Sequence, residues 1–251
     1  MSGHSKWSTI KRKKGAADAK RGQIFTRLAR EIAIAARQGG GDPNANFRLR
    51  LAISRARENS MPKENIERAI ARGSGEGKDG GGIEEFFYEG YGPHGVALML
   101  ECVTDNRNRA VAEIRHTLTR YGGSMGEVGS VGWQFSRVAY FSFPDKGVDQ
   151  DKVFELAVEA GADDVSFDDG YVEITGSIEN FKEISDSLES AKIVPEEAGL
   201  RLVPTNEIDL APGETAQVLR VIESLEELDD VQNVYSNLHI TDEALAQLEA
   251  A

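Results

Sequence analysis

Lys6, Lys11, Arg12, Lys13, Lys14, Lys20, Arg21, Arg27 and Arg30 stand within the first thirty residues beside a single acid, Asp18. Ammonium and guanidinium groups at this density neutralise phosphates and release condensed counterions. Trp7, set among them, offers a flat ring that can stack on a base. The chemistry is the gripping of a polyanion, not the making of bonds. The bland alternative is a solvated terminus, as many charge runs are. Against it stand the opposite charge of the rest of the chain and a large aromatic with no apolar neighbours to join. Arg48, Arg50, Arg55 and Arg57 extend the series. Arg48 and Arg55 are seven apart and share a helix face, as do Arg50 and Arg57, and residues 43–57 contain no acid to pair with them. The candidate nucleic-acid-binding set is therefore Lys6, Trp7, Lys11, Arg12, Lys13, Lys14, Lys20, Arg21, Arg27, Arg48, Arg50, Arg55 and Arg57.

A second cluster lies in TDNRNRAVAEIR, residues 104–115. Thr104 or Asp105 can cap a helix there, and Asn106, Arg107, Asn108 and Arg109 crowd its first turn. Cations at that end oppose the helix dipole. The placement points either to a secondary anion site at these four residues or to pairing with acids across the domain.

Other chemistries find little support. Gly90-Tyr-Gly-Pro-His-Gly95 matches G-x-G-x-x-G, but a dinucleotide loop must lead into a helix, and VALMLECV follows instead. It reads as a hairpin turn. Gly77-Lys78 resembles the end of a phosphate loop, yet Asp79 stands where Ser or Thr would hold a metal and Arg72 where the first glycine belongs. His4, His94, His116 and His239 have no companions at ligand spacing, so no metal site is expected. No serine or cysteine nucleophile pattern occurs. No catalytic residue and no cofactor are expected. The alternative enzyme is a metal-dependent nuclease drawing on the acids of DDVSFDDG, with Asp168 and Asp169 at its centre. A third reading makes the acidic body a scaffold for a basic protein.

The 251 residues carry a net charge of −13. Residues 1–78 hold 18 Lys/Arg and 7 Asp/Glu, a net of +11, and residues 79–251 hold 11 and 35, a net of −24. This asymmetry suits a module that faces nucleic acid joined to a repelling body. No apolar run reaches the eighteen or so residues of a membrane span, so a membrane is not an expected partner. No small-molecule substrate is evident. Cys102 is the one cysteine; a lone thiol in an apolar run implies no disulfide framework and fits a reducing cytoplasm. The basic start lacks the apolar stretch of a secretory signal, and a mitochondrial transit peptide is a weaker reading of it.

These residues must be held by elements. Residues 1–20 have no apolar periodicity and read as an arm. Phe25, Leu28, Ile32 and Ala35 recur at helical steps until Gly39-Gly40-Gly41. Asp42-Pro43 reads as the start of a second helix lined by Phe47, Leu51, Ser54, Ala52 and Ala56. Pro62 opens a third, with Ile66, Ala69 and Ile70, which Gly73 closes. GSGEGKDGGG (73–82) reads as a linker. Strands EEFFYEGY and VALMLECVT follow, then a helix carrying Val111, Ile114, Leu118 and Tyr121. Strand 138–143, helix 151–160, strands 164–168 and 171–175, a helix capped by Ser177 and a strand at 199–204 give the split β-α-β-β-α-β order. A helix over 212–228, a strand over 231–238 and a short helix from Thr241 end the chain. The expected class is α+β multidomain: an N-terminal three-helix domain followed by two ferredoxin-like α+β domains, the third inserted in the second. The boundaries are 1–78, then 79–133 with 205–251, and 134–204 as the insertion.

Together GHSKW (3–7), AKRGQIFTRLAREI (19–32), GGGDP (39–43), ENIERAIARG (64–73), YEGYGPHGVALMLE (88–101), TDNRNRAVAEIR and GGSMGEVGSVGWQF (122–135) resemble the YebC/PmpR family, which has a mitochondrial translational activator of cytochrome oxidase as a relative. The resemblance runs nearly end to end and begins at residue 3, which argues against a transit peptide. Ala110 departs from the family's usual threonine, with no functional consequence. The resemblance implies one helical and two α+β domains. It also implies a non-enzymatic, cytoplasmic regulator of gene expression. The principal role is DNA-binding transcriptional regulation. The alternative is a ribosome-associated factor that binds ribosomal RNA and relieves stalling, notably at proline runs. An arm with a tryptophan suits folded RNA at least as well as a major groove.

Overall fold

The computed structural model describes residues 20–75, 82–168, 170–241, 243 and 244. The basic arm before residue 20, most of the 73–82 linker and most of the helix expected from Thr241 lie outside the described residues. Residues 136–203 form one compact unit, and the described residues on either side of them form another.

The larger unit begins with three helices: α1 (Lys20–Gly39), α2 (Phe47–Glu58) and α3 (Lys63–Ser74). Leu28, Ile32, Ala35 and Ala36 of α1 meet Leu49, Ala52, Ile53 and Ala56 of α2 and Ile66 and Ala69 of α3 in one apolar cluster. Burying each large side chain contributes about 1.5–3 kcal/mol. A second face of α1 is also apolar: Ala33 and Ile34 pack with Ile83 and Val103. Residues 32–36 are thus buried all round, as expected of a helix with neighbours on every side.

Two expected boundaries and one expected core position shift. Asp42-Pro43 does not start α2; Asp42 closes a turn, its carboxylate accepting from the Asn44 amide at 2.9 Å. The cap is Asn46, whose side-chain oxygen accepts from the Leu49 amide at 3.0 Å. Its side-chain amide donates to the carbonyls of Ala35 and Gly40, each at 2.8 Å. Asn46 therefore ties the start of α2 to the end of α1, which an acid without donors could not do. Ser54 faces Glu58, not the core. Gly73 does not end α3, which runs to Ser74 and stops at Gly75 in the left-handed region, φ 82°. Gly73 serves close packing: a Cβ there would lie 2.1 Å from the Ala33 carbonyl oxygen.

The sheet of this unit holds β1 (Glu84–Tyr91), β2 (Ala97–Thr104), β3 (Ser124–Met125) and a later strand over Val231–Ser236, in the order β3-β1-β2 and then that strand. All of its pairs are antiparallel. The glycine pattern at 90–95 is the β1–β2 turn, with the Gly92 amide donating to the Val96 carbonyl at 2.8 Å. Helix α4 (Arg107–Arg120) and a helix over Pro212–Glu226 cover one face through Ile114, Leu118, Leu219, Ile222 and Leu225. β2 is buried along its whole length. Burial, reinforced by Asp230, pushes the Cys102 thiol on it up to about 12, so it behaves as a small apolar group.

The smaller unit runs β4 (Phe135–Pro144), α5 (Gln150–Glu159), β5 (Ala162–Asp168), β6 (Tyr171–Gly176), α6 (Phe181–Ser190) and β7 (Glu197–Pro204). Its sheet order is β5-β6-β4-β7. Phe141, Val172, Ile174, Ile184 and Leu188 are fully buried, and the Phe141 and Phe181 rings stack at 5.0 Å. Ser177 makes no side-chain capping bond; a short 3₁₀ turn, Ile178–Asn180, leads into α6 instead. The helix over Pro212–Glu226 is α7 and ends two residues before the expected 228; the strand over Val231–Ser236 is β8. No helix among the described residues is long and apolar enough to cross a membrane.

Candidate nucleic-acid interface

The cations expected to contact nucleic acid fall into three groups. Lys6, Trp7, Lys11, Arg12, Lys13 and Lys14 lie outside the described residues. Lys20 and Arg21 belong to the first turn of α1, and their side chains lie outside the described set. The remaining five are described, and most engage their own chain. Arg27 donates to the Gln232 carbonyl and, at 3.5 Å, to that of Glu226. Arg48 donates to Gln38 and stands 4.0 Å from Glu85. Arg55 pairs with Glu31 at 2.8 Å. Arg50 lies over the Phe47 ring at 5.3 Å. Arg57 is exposed. The acids that pair with Arg48 and Arg55 come from α1 and β1, so their absence from 43–57 did not mean absence in space.

Asn106, not Thr104 or Asp105, caps α4, its side chain accepting from the Arg109 amide at 3.1 Å. Asn108 is exposed in the same turn. Arg107 lies over the Phe86 ring at 3.4 Å and pairs with Glu84 at 3.2 Å. Arg109 forks onto both oxygens of Asp230, each at 2.9 Å, and reaches Asp105 at 3.0 Å. Its hydrogen bonds to Asp230 and Asp105 push the Arg109 pKa upward. The Arg109 hydrogen bond in turn holds the Asp105 carboxyl below its ordinary value, against the opposing effect of burial.

Asp230 belongs to the acid cluster ELDD (227–230), which composition alone reads as solvated surface, yet it joins the helical region to the sheet. Its side chain is 1% exposed and also receives Arg30 of α1 at 2.8 Å, while its carbonyl accepts from the Val103 amide at 2.9 Å. Two guanidiniums on one buried carboxylate satisfy its acceptors, as a buried charge requires. One nitrogen of Arg30, Nη1, is buried with no partner among the described residues.

That arginine also lines a cleft of about 330 Å³ between α1 and α3. Phe25, Ala29, Met61, Ala69 and Ile83 form its apolar wall, and Thr26, Arg30, Asn65, Arg68 and Arg72 supply polar groups. Among the described residues no carboxylate lines it. Arg72 reaches Asp105 at 3.4 Å outside the lining, and Arg68 is exposed. A neighbouring recess of about 470 Å³ differs: its cations Arg37 and Arg107 share it with Glu84 and Glu85.

The glycine-rich stretch after α4 is ordered around Glu89. This carboxylate accepts from the amides of Gly129 and Val131 at 2.6 Å and Gly132 at 2.8 Å. The loop so held leaves Val128 and Trp133 facing solvent, 99% and 71% exposed. The density of glycines in GGSMGEVGSVG was the only sequence signal of it. Of the acids considered for a nuclease, Asp163, Asp164 and Asp168 lie on β5, and Asp169 is outside the described residues. No group of three or more His, Cys, Asp or Glu among the described residues is placed to hold a metal ion.

An arginine-rich three-helix region joined to one antiparallel sheet, and a second unit with an antiparallel sheet of its own, define a multidomain α+β protein. Residues 5–76 match the model of the TACO1/YebC protein N-terminal domain, and residues 83–238 match that of the TACO1/YebC second and third domain. The chain belongs to the TACO1/YebC family. It is 50% identical over 248 residues to a protein of Geotalea uraniireducens, covering 99% of this chain and all of that one. It is 50% identical over 250 residues to one of Acidithiobacillus ferrooxidans, covering 100% and 99%. Each of these relatives carries the name "probable transcriptional regulatory protein". A crystal structure of a conserved hypothetical protein from Aquifex aeolicus superposes with a TM-score of 0.81 at 41% identity, covering 90% of this chain and 93% of that one.

Proposed function

We propose that this protein is a non-enzymatic nucleic-acid-binding regulator of gene expression, with DNA-bound transcriptional regulation as its principal role. The observation that carries the reading is the segregation of charge. Residues 1–78 hold a net +11 and the remainder −24, so a phosphate backbone is drawn to one end of the molecule and repelled by the rest. The name borne by the relatives agrees with it. The basic arm of residues 2–20 supplies most of the contacts, and the protein works in the cytoplasm.

A second reading, binding of ribosomal RNA in translation, draws on the state of α2. Arg48 and Arg55, one of its two arginine rows, are engaged by Gln38 and Glu31. A helix with at least two of its four cations so occupied is a poor candidate for lying in a major groove.

Titrating the full chain with duplex DNA and with folded ribosomal RNA at rising salt tests both. If about six phosphates are neutralised, log K falls against log[salt] with a slope near −5 on duplex DNA. Removing residues 2–20 abolishes most of the affinity while the fold persists. A salt-independent response, or full affinity after truncation, overturns the proposal. Tighter binding to the RNA at equal salt selects the translational reading.

A further inference from the structure

We infer that the cleft between α1 and α3 is a binding site for a phosphate ester of a nucleoside, with the phosphate among Arg30, Arg68 and Arg72 and the base along Phe25 and Met61. The inference deepens the proposed function and rests on it for the polymeric form of the ligand.

The electrostatics come first. Around the cleft, Arg30, Arg72 and Arg109 share two carboxylates, Asp230 and Asp105. Arg68, which also lines the cleft, has no carboxylate partner among the described residues. Four guanidiniums against two carboxylates leave an excess of two positive charges, matching a phosphate monoester or two adjacent phosphodiesters. Neither carboxylate lines the cavity, so the charged groups an anion meets there are the cations.

Hydrogen-bonding capacity points the same way. A buried guanidinium nitrogen without an acceptor is costly, and Arg30 Nη1 is such a nitrogen among the described residues. Asp230 pins the Arg30 head by its other nitrogen at 2.8 Å, so the guanidinium is held at the cleft before any ligand arrives, with Nη1 itself closed to solvent. Pre-ordered donors of this kind suit phosphate oxygens, which guanidinium forks match in geometry. The volume of about 330 Å³ falls within the range of small-ligand pockets. Its division into an apolar wall and a cationic edge is what a base joined to a phosphate needs.

The test uses the full chain. Binding of a fluorescent single-stranded oligonucleotide, as RNA and as DNA, and of adenosine monophosphate is measured by anisotropy and calorimetry for wild type, Arg68→Ala, Arg68→Glu and Arg115→Ala. Arg68 is exposed and outside the ion-pair network, so its loss leaves the fold intact. Arg115 is exposed on α4 and controls for loss of one charge. Arg68→Ala is expected to weaken binding about tenfold and reduce the salt slope by about 1. Arg68→Glu weakens it further, and Arg115→Ala changes it by less than about twofold. Arg68-dependence confined to the oligonucleotide assigns the cleft to a nucleic-acid chain. Arg68-dependence of adenosine monophosphate assigns it to a free nucleotide, even if the wild type binds no oligonucleotide and the proposed function fails. Equal losses in Arg68→Ala and Arg115→Ala, or no dependence on Arg68 for any ligand, overturn the inference.

Discussion

Glu89 shows how one side chain can order a loop. Burial alone would raise its pKa, but the amides of Gly129, Val131 and Gly132 and the Ser130 hydroxyl outweigh that and hold it below the ordinary 4.5. A depressed folded pKa means that ionised Glu89 stabilises the loop above its unfolded pKa, and that this contribution is lost as pH falls through the folded value. The loop should be ordered at neutral pH and loosen on the acid side of 4.5. Fluorescence of Trp133 in a Trp7→Phe background should report an acid transition that Glu89→Gln removes, because the amide cannot titrate. A transition that persists in Glu89→Gln would assign it to another group. None of this was visible beforehand, since Glu89 and the loop lie forty residues apart. Longer separations hid the role of Asp230, which meets Arg30 and Arg109 from 200 and 121 positions away. Arginines could be counted in the sequence; which of them are already neutralised could not.

At the level of elements, the crossing of α1 and α3 is decided by Gly73. Alanine is favoured over glycine within a helix by about 1 kcal/mol. Here its Cβ would stand 2.1 Å from the Ala33 carbonyl oxygen, and a backbone atom cannot yield as a flexible side chain would. Overpacking costs about 1–3 kcal/mol, and a contact this short to a backbone oxygen belongs at the upper end of that range, so sterics win. Gly73→Ala should lower stability by about 1–2 kcal/mol in denaturant titration, whereas a neutral or stabilised variant would show that the helices separate freely. Helix and strand identities were legible because apolar periodicity is a local property. Caps were less so. Asp42-Pro43 has the composition of a helix start, but Asn46 won because its amide can both donate to α1 and accept from α2. Gly73 looked like a terminator for the same reason: composition does not distinguish a glycine that ends a helix from one that lets two helices touch.

For the whole molecule, the chain leaves and re-enters the larger unit at adjoining points. The Thr205 amide and hydroxyl both donate to the Gln134 carbonyl, at 2.8 and 3.0 Å. Residues 136–203 carry their own buried apolar side chains, so each unit has the means to fold alone. Joining Phe135 to Pro204 through a short glycine–serine link should leave a cooperatively unfolding protein with the near-ultraviolet circular dichroism of the larger unit. Loss of cooperativity would mean that the larger unit depends on the insertion.

By itself the sequence determined the α+β class, the order of the elements, the hairpin at Gly90–Gly95 and the contrast between a basic front and an acidic body. Each follows from composition or from periodicity over a few turns. Only the tertiary structure decided which arginines are neutralised, that α1 is buried on two faces, and that a cleft lined by three arginines opens between α1 and α3. Those depend on distances between residues far apart in the chain, and a carboxylate screens a guanidinium by its position in space, not by its place in the sequence.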